Sequence, residues 1–145
     1  MSKVEDFLTQ PEEQEIVEAI LEAEKNTSGE IRVHIEAHTR SNHYERAKEV
    51  FRLLKMDNTK DANGVLIYVA VNDKKFVICG DKGIDKVVPN GFWDSTKTTI
   101  ENHFKKGHFK AGLIAGILQA GNELKDHFPW HSDDKNELSN EISKG

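Results

Sequence analysis

The residues with the clearest chemical potential in this chain are acidic: Glu30, Asp57, Asp61, Asp81 and Asp85. Around two of them, Asp57-x-Thr59-x-Asp61-x-Asn63 places a side-chain oxygen at every second position, the donor chemistry that hard ions such as Ca²⁺ and Mg²⁺ prefer. The stretch is not an EF-hand, because Ala62 stands where that loop requires glycine and Tyr68 where it requires a bidentate glutamate. Asp-rich polar loops are also ordinary turn formers, so a solvated acidic rim competes with a cation site for the same residues.

Covalent phosphate chemistry leaves no trace. A cysteine phosphatase needs Cys-x5-Arg, but Cys79 is followed six residues later by Asp85, and no Asp-x-Asp nucleophile motif occurs. Gly80-Asp81-Lys82-Gly83 is too short for a phosphate loop of the G-x-x-x-x-G-K-[ST] type. Hydrolysis by a metal-bound water is compatible with the sequence, with the ion as Lewis acid and Lys82 as a phosphate contact. His103 and His108 are split by Gly107 and do not share a helix face, which favours surface or helix-end roles. Trp93 and Trp130 read as packing residues, with a ligand cleft as the alternative, and Cys79 as a small buried hydrophobe.

The elements that must position these residues follow from periodicity. Thr9, Pro11 and Glu12 form a capping-box pattern ahead of a helix whose stripe is Ile16, Val17, Ile20, Leu21 and Glu24, ending before Gly29. Glu12, Glu13, Glu15, Glu18 and Glu22 read as its solvated face. Strict alternation from Glu30 to Ala37 predicts a half-buried strand. Asn42 caps a second helix with Ala47, Val50, Phe51 and Leu54 inward. Val65 to Ala70 and Phe76 to Cys79 are β-prone runs that look central in a sheet covered on two faces, and Lys86-Val87-Val88 is a candidate for a further short strand. Helices over about 93–106 and 108–126 complete the pattern; Gly112, Gly116 and Gly121 in the last predict close packing on the sheet.

This order implies a three-layer α/β/α sandwich with a mixed, mostly four-stranded twisted sheet. A crossover from the first strand to the second makes them parallel, and the short turn before the third makes it antiparallel. The start of the first strand, the Asp57 to Gly64 loop and the Gly80 to Asp85 loop therefore meet at one end of the sheet. Crowded carboxylates there must be separated by solvent, shift their pKa values or bind cations.

Composition bounds the rest. The 145 residues carry 20 Lys plus Arg against 25 Asp plus Glu, a net charge of -5, which argues against nucleic acid and anionic membranes as partners. The N-terminus has acids where a signal peptide is basic, and the most apolar stretch, Ala111 to Leu118, is far short of a membrane span, so a cytoplasmic setting is expected. One domain over 1–130, a polar disordered tail over 131–145 and a monomeric state complete the expectation.

Four runs taken in order resemble the TPM domain family, named from a thylakoid lumen protein, a photosystem II repair protein and a receptor modulator. They are Ser28-Gly29-Glu30-Ile31-Arg32-Val33, Asn63-Gly64-Val65-Leu66-Ile67, Gly80-Asp81-Lys82-Gly83-Ile84 and Phe104-Lys105-Lys106-Gly107-His108-Phe109, the last extending through Gly112-Leu113. The resemblance reaches to Pro129. It implies a divalent-cation site among acidic loop residues and an acid phosphatase activity found in plant members. By position Asp81 and Glu30 match the family's polar cleft, then Asp61, while Asp57 and Asp85 rest on topology alone. The expected function is a Ca²⁺- or Mg²⁺-binding module with an unidentified protein partner. The alternative is a metal-dependent acid phosphatase acting on phosphomonoesters, with Lys82 contacting the substrate. Many relatives carry a signal peptide and a C-terminal membrane segment; this chain reads as a short bacterial-type member to which photosystem or receptor roles do not transfer.

Overall fold

The computed structural model describes residues 7–130 and 140–144. Thr9 opens helix α1 (Gln10–Glu24) as expected: its hydroxyl accepts from the Glu12 N–H while the Glu12 carboxylate accepts from the Thr9 N–H. Strand β1 (Glu30–Glu36) and helix α2 (His43–Leu53) follow, the latter capped by the Asn42 side chain, which accepts from the Tyr44 and Glu45 N–H groups. Strands β2 (Gly64–Ala70) and β3 (Lys75–Gly80) form a hairpin. The one-turn helix α3 (Lys82–Asp85), then α4 (Asp94–Lys105) and α5 (Phe109–Leu124), lead to the short strand β4 (Ser143–Lys144).

The strands lie in the order β3-β2-β1-β4, with β1 parallel to β2 and β4, and β2 antiparallel to β3. Side chains alternate between two cores. Ile31, Val33 and Ile35 of β1 with Val65, Ile67 and Val69 of β2 pack toward α1, α4 and α5. Leu66, Tyr68 and Ala70 pack on the other face with Ala47, Val50 and Phe51 of α2. Every residue of β2 is buried, so its continuous apolar run reflects cover on both faces.

Four expectations need correction. The second β-prone run, β3, is an edge strand with Lys75 exposed: the chain after Gly80 turns into α3, and among the described residues no strand pairs beyond it. Lys86-Val87-Val88 does not rejoin the sheet: the Val87 and Val88 N–H groups donate to Ile84 O, spending locally the donors that a ladder needs. The fourth strand is instead Ser143–Lys144, paired with His34 and Ile35; residues 131–139 lie outside the described residues. The glycines of α5 serve helix packing rather than contact with the sheet. A Cβ on Gly116 would stand 2.6 Å from Ile100 of α4, and one on Gly121 2.8 Å from the Ala23 Cβ of α1.

Candidate functional site

The topology gathers the predicted loops at the end of the sheet where β1 and β2 begin. Glu30 stands opposite Gly64, and the Asp81 N–H donates to Gly64 O at 2.9 Å, so the three residues form one row across three strands. Asp81 keeps an extended backbone at φ -71 and ψ 167, and strand alternation puts Glu30, Gly64 and Asp81 on the α2 side. With strands about 4.8 Å apart, two steps separate the Cα atoms of Glu30 and Asp81 by about 10 Å, with only a glycine between.

Both carboxylates are buried, Glu30 at 4% exposure and Asp81 at 8%. Asp81 caps α3: its Oδ1 accepts from the Lys82 N–H at 2.7 Å. Its Oδ2 is buried and receives no hydrogen bond among the described residues, an uncommon state for a carboxylate oxygen. Asn63 sits beside this row, 1% exposed, with its carbonyl accepting from the Glu30 N–H and its side chain donating to the Ser28 hydroxyl.

The structure does not bring all the candidates to this row. Asp57, Asp61, Asp85 and Lys82 are exposed. Asp61 reaches the site through its backbone, whose carbonyl oxygen lies against Gly83. Among the described residues no three or more His, Cys, Asp or Glu side chains stand together as a metal-holding group. What assembles is a buried pair, Glu30 and Asp81, with loop backbone beside it. Carboxylate and carbonyl oxygens are the donor types that hard cations take.

A family model described as TPM domain matches residues 1–123. The chain belongs to the TPM domain family. Its structure is similar to that of the BA42 protein from the psychrophilic bacterium Bizionia argentinensis, with 60% identity over the whole of both chains and a TM-score of 0.93. The N-terminal domain of a P. gingivalis protein shares the fold at 18% identity and TM-score 0.69, covering 86% of this chain and 82% of that one. The N-terminal domain of the cg2496 protein of Corynebacterium glutamicum shares it at 10% identity and TM-score 0.66, covering 91% and 84%. No curated protein matches the chain.

This TPM domain holds two polar features, one partly buried and one buried, that periodicity did not flag. Glu24, the one carboxylate in the predicted stripe of α1, accepts the Ile31 N–H at 2.9 Å, on the side of β1 that the two-residue β4 leaves uncovered. Burial, with a smaller contribution from the nearby Glu30 charge, pushes its carboxyl up to about 7 against the hydrogen bond that lowers it. An acid among apolar stripe positions was the only sequence signal.

The second feature is a network at the far end of β1. Glu36 accepts from Arg46 Nε at 3.0 Å and Arg46 Nη2 at 2.9 Å, from Tyr68 Oη, and from His34 Nε2 at 3.0 Å. Burial alone would raise the Glu36 carboxyl, but these donors outweigh it and hold the group at about 2. His34 Nδ1 meets the Ser143 hydroxyl at 2.9 Å and ties the network to β4. Because Nε2–H donates to a carboxylate, neutral His34 offers Nδ1 as an acceptor to that hydroxyl.

The remaining candidates have structural roles. His103 Nδ1–H donates to Thr99 O at 2.9 Å, and His108 begins α5. Cys79 is buried, and desolvation pushes its thiol up to about 11. Trp93 packs edge-on against Phe92, whereas Trp130 is half exposed and lines a surface cavity of about 320 Å³ with Leu21, Glu24 and Lys25. Among the described residues no helix is long and apolar enough to cross a membrane.

Proposed function

We propose that this TPM domain binds a divalent cation, Ca²⁺ or Mg²⁺, at Asp81 and Glu30, and works as a cytoplasmic binding or maintenance module through a protein partner. The observation that carries the reading is the Asp81 Oδ2 atom, buried and without a hydrogen-bond donor among the described residues, in one row with a second buried carboxylate. When bound, the ion would supply positive charge to two carboxylates that burial has taken from water. A titration with CaCl₂ and MgCl₂ followed by amide chemical shifts tests it. The Asp81, Gly83 and Glu30 amides are expected to move, and Asp81→Asn to abolish the response. Amides that stay still at millimolar cation would end the reading.

A second reading, metal-dependent acid phosphatase, is favoured by one placement: exposed Lys82 follows Asp81 at the start of α3, where a phosphate could reach it from solvent. Hydrolysis of p-nitrophenyl phosphate by the wild type, lost in Asp81→Asn, would support it. Activity that survives the substitution would assign the hydrolysis to another site or to a contaminant.

A further inference from the structure

The cavity at the C-terminal end of α1, about 320 Å³ in volume, is lined by Leu21, Glu24, Lys25 and Trp130. It lies at the small end of the range of small-molecule sites, roughly 300–1,000 Å³. Two of its walls are apolar and reach solvent. Leu21 is 45% exposed although it belongs to the stripe that α1 otherwise buries, and Trp130 is 49% exposed. The backbone fixes Trp130 beside α1: Thr27 and Pro129 pair as an isolated β-bridge, and Phe128 O accepts from the Ser28 N–H at 2.9 Å and from the Thr27 hydroxyl.

Glu24 is the charged wall. Its Oε2 accepts the Ile31 N–H at 2.9 Å, while among the described residues Oε1 accepts no hydrogen bond and no basic side chain pairs with the carboxylate. Lys25, at the rim, pairs instead with Glu22, Nζ to Oε2 at 3.1 Å. Burial and the charge of Glu30 both oppose ionisation of Glu24, so a bound positive charge would offset what desolvation costs. The kind of cation follows from the walls. A primary ammonium brings three N–H donors, and the carboxylate is the one acidic side chain that lines the cavity to receive them. A quaternary ammonium carries the same charge with no donor to satisfy. Its methyl groups suit the Leu21 and Trp130 walls, and tryptophan is the aromatic side chain that attracts such a cation best.

We propose that this cavity is a binding site for a trimethylammonium group, held by the charge of Glu24 and the indole of Trp130. The site is distinct from the Asp81 and Glu30 pair and does not depend on the divalent-cation reading.

The test titrates the ¹⁵N-labelled full chain with choline chloride at constant ionic strength with EDTA present, which removes divalent ions from the outcome. The Trp130 indole N–H and the Leu21, Glu24 and Lys25 amides are expected to shift with one midpoint. Dimethylbutanol, the uncharged isostere in which carbon replaces the nitrogen of choline, should bind at least about tenfold more weakly, and so should ethanolamine. Phosphocholine as a parallel arm tells a lipid headgroup from a free cation carrying the same group. Trp130→Leu keeps an apolar wall without the ring, Glu24→Gln keeps an acceptor for the Ile31 N–H without the charge, and each should lose about fivefold or more in choline affinity. If Glu24→Gln fails to fold, the comparison of choline with its isostere on the wild type still decides the matter. An isostere or ethanolamine that binds as tightly as choline overturns the proposal. So do variants that bind like wild type, and a Trp130 indole and Glu24 amide that stay still at tens of millimolar choline.

Discussion

Glu30 and Glu36 open and close the same strand, lie on the same face of the sheet by alternation, and are equally buried at 4% exposure each, yet their surroundings are opposite. At the Glu36 end the protein itself provides the donors: Arg46, Tyr68 and His34 bring both carboxylate oxygens to satisfaction. At the Glu30 end the neighbouring Asp81 keeps its Oδ2 buried and without a hydrogen-bond donor among the described residues, while the Asp61 and Ala62 carbonyls lie against Gly83. The first arrangement is closed and structural. The second leaves one buried carboxylate oxygen, Asp81 Oδ2, without a donor among the described residues, which is why the binding proposal falls there although the other end has more of the residue types usually associated with catalysis.

The largest way to break this contrast is to open the closed end. Arg46→Met should cost about 3 kcal/mol or more, because it strands a buried carboxylate without its charged partner. Urea unfolding measures it, and a loss below about 1 kcal/mol would mean that water already reaches Glu36.

The pH dependence separates the carboxylates next. Glu36, depressed to about 2 from 4.5, contributes stability that is complete above pH 4.5 and drains away as pH falls toward 2. Glu24, raised from 4.5 to about 7, acts in reverse: its contribution is complete below pH 4.5 and is lost as pH rises through 7. Glu24→Gln, which retains an acceptor for the Ile31 N–H, should therefore remove a decline on the order of 2 kcal/mol between the acid and alkaline ends of that interval. Unfolding curves for variant and wild type that run parallel across it would contradict the assignment.

A smaller effect sharpens the open end. Asn is as good a helix cap as Asp, so Asp81→Asn should keep α3 while removing a buried charge, and raise the stability of the cation-free protein by about 1 kcal/mol. A destabilised variant would show that the carboxylate is already satisfied in solution. The smallest effects are expected from Asp57→Asn and Asp85→Asn. These residues are exposed, so thermal unfolding should change by no more than about 0.5 kcal/mol, with cation affinity near that of wild type.

Much of the fold was legible because its signals are local. The Thr9 box, the Asn42 cap and the alternation of Ile31, Val33 and Ile35 each depend on residues a few positions apart, and each occurs as read. Strand directions followed from connection lengths, and with them the meeting of three loops at one end of the sheet. The edge position of β3 was hidden because its β-prone run resembles that of a covered strand. The strand at Ser143–Lys144 was hidden because two residues carry no period; its place comes from contacts with His34 and Ile35, more than a hundred residues away.

The sequence by itself determined the family, the layers and the acidic character of one sheet end, since these follow from spacing, composition and motif order. Only the tertiary structure decided which acids matter there. Five carboxylates in three loops are alike on paper, but burial separates Glu30 and Asp81 from the exposed Asp57, Asp61 and Asp85, and brings the Asp61 backbone to Gly83 in place of its side chain. The physical reason is that desolvation and hydrogen-bond satisfaction are properties of packed neighbours, and the chain order does not specify which neighbours those are.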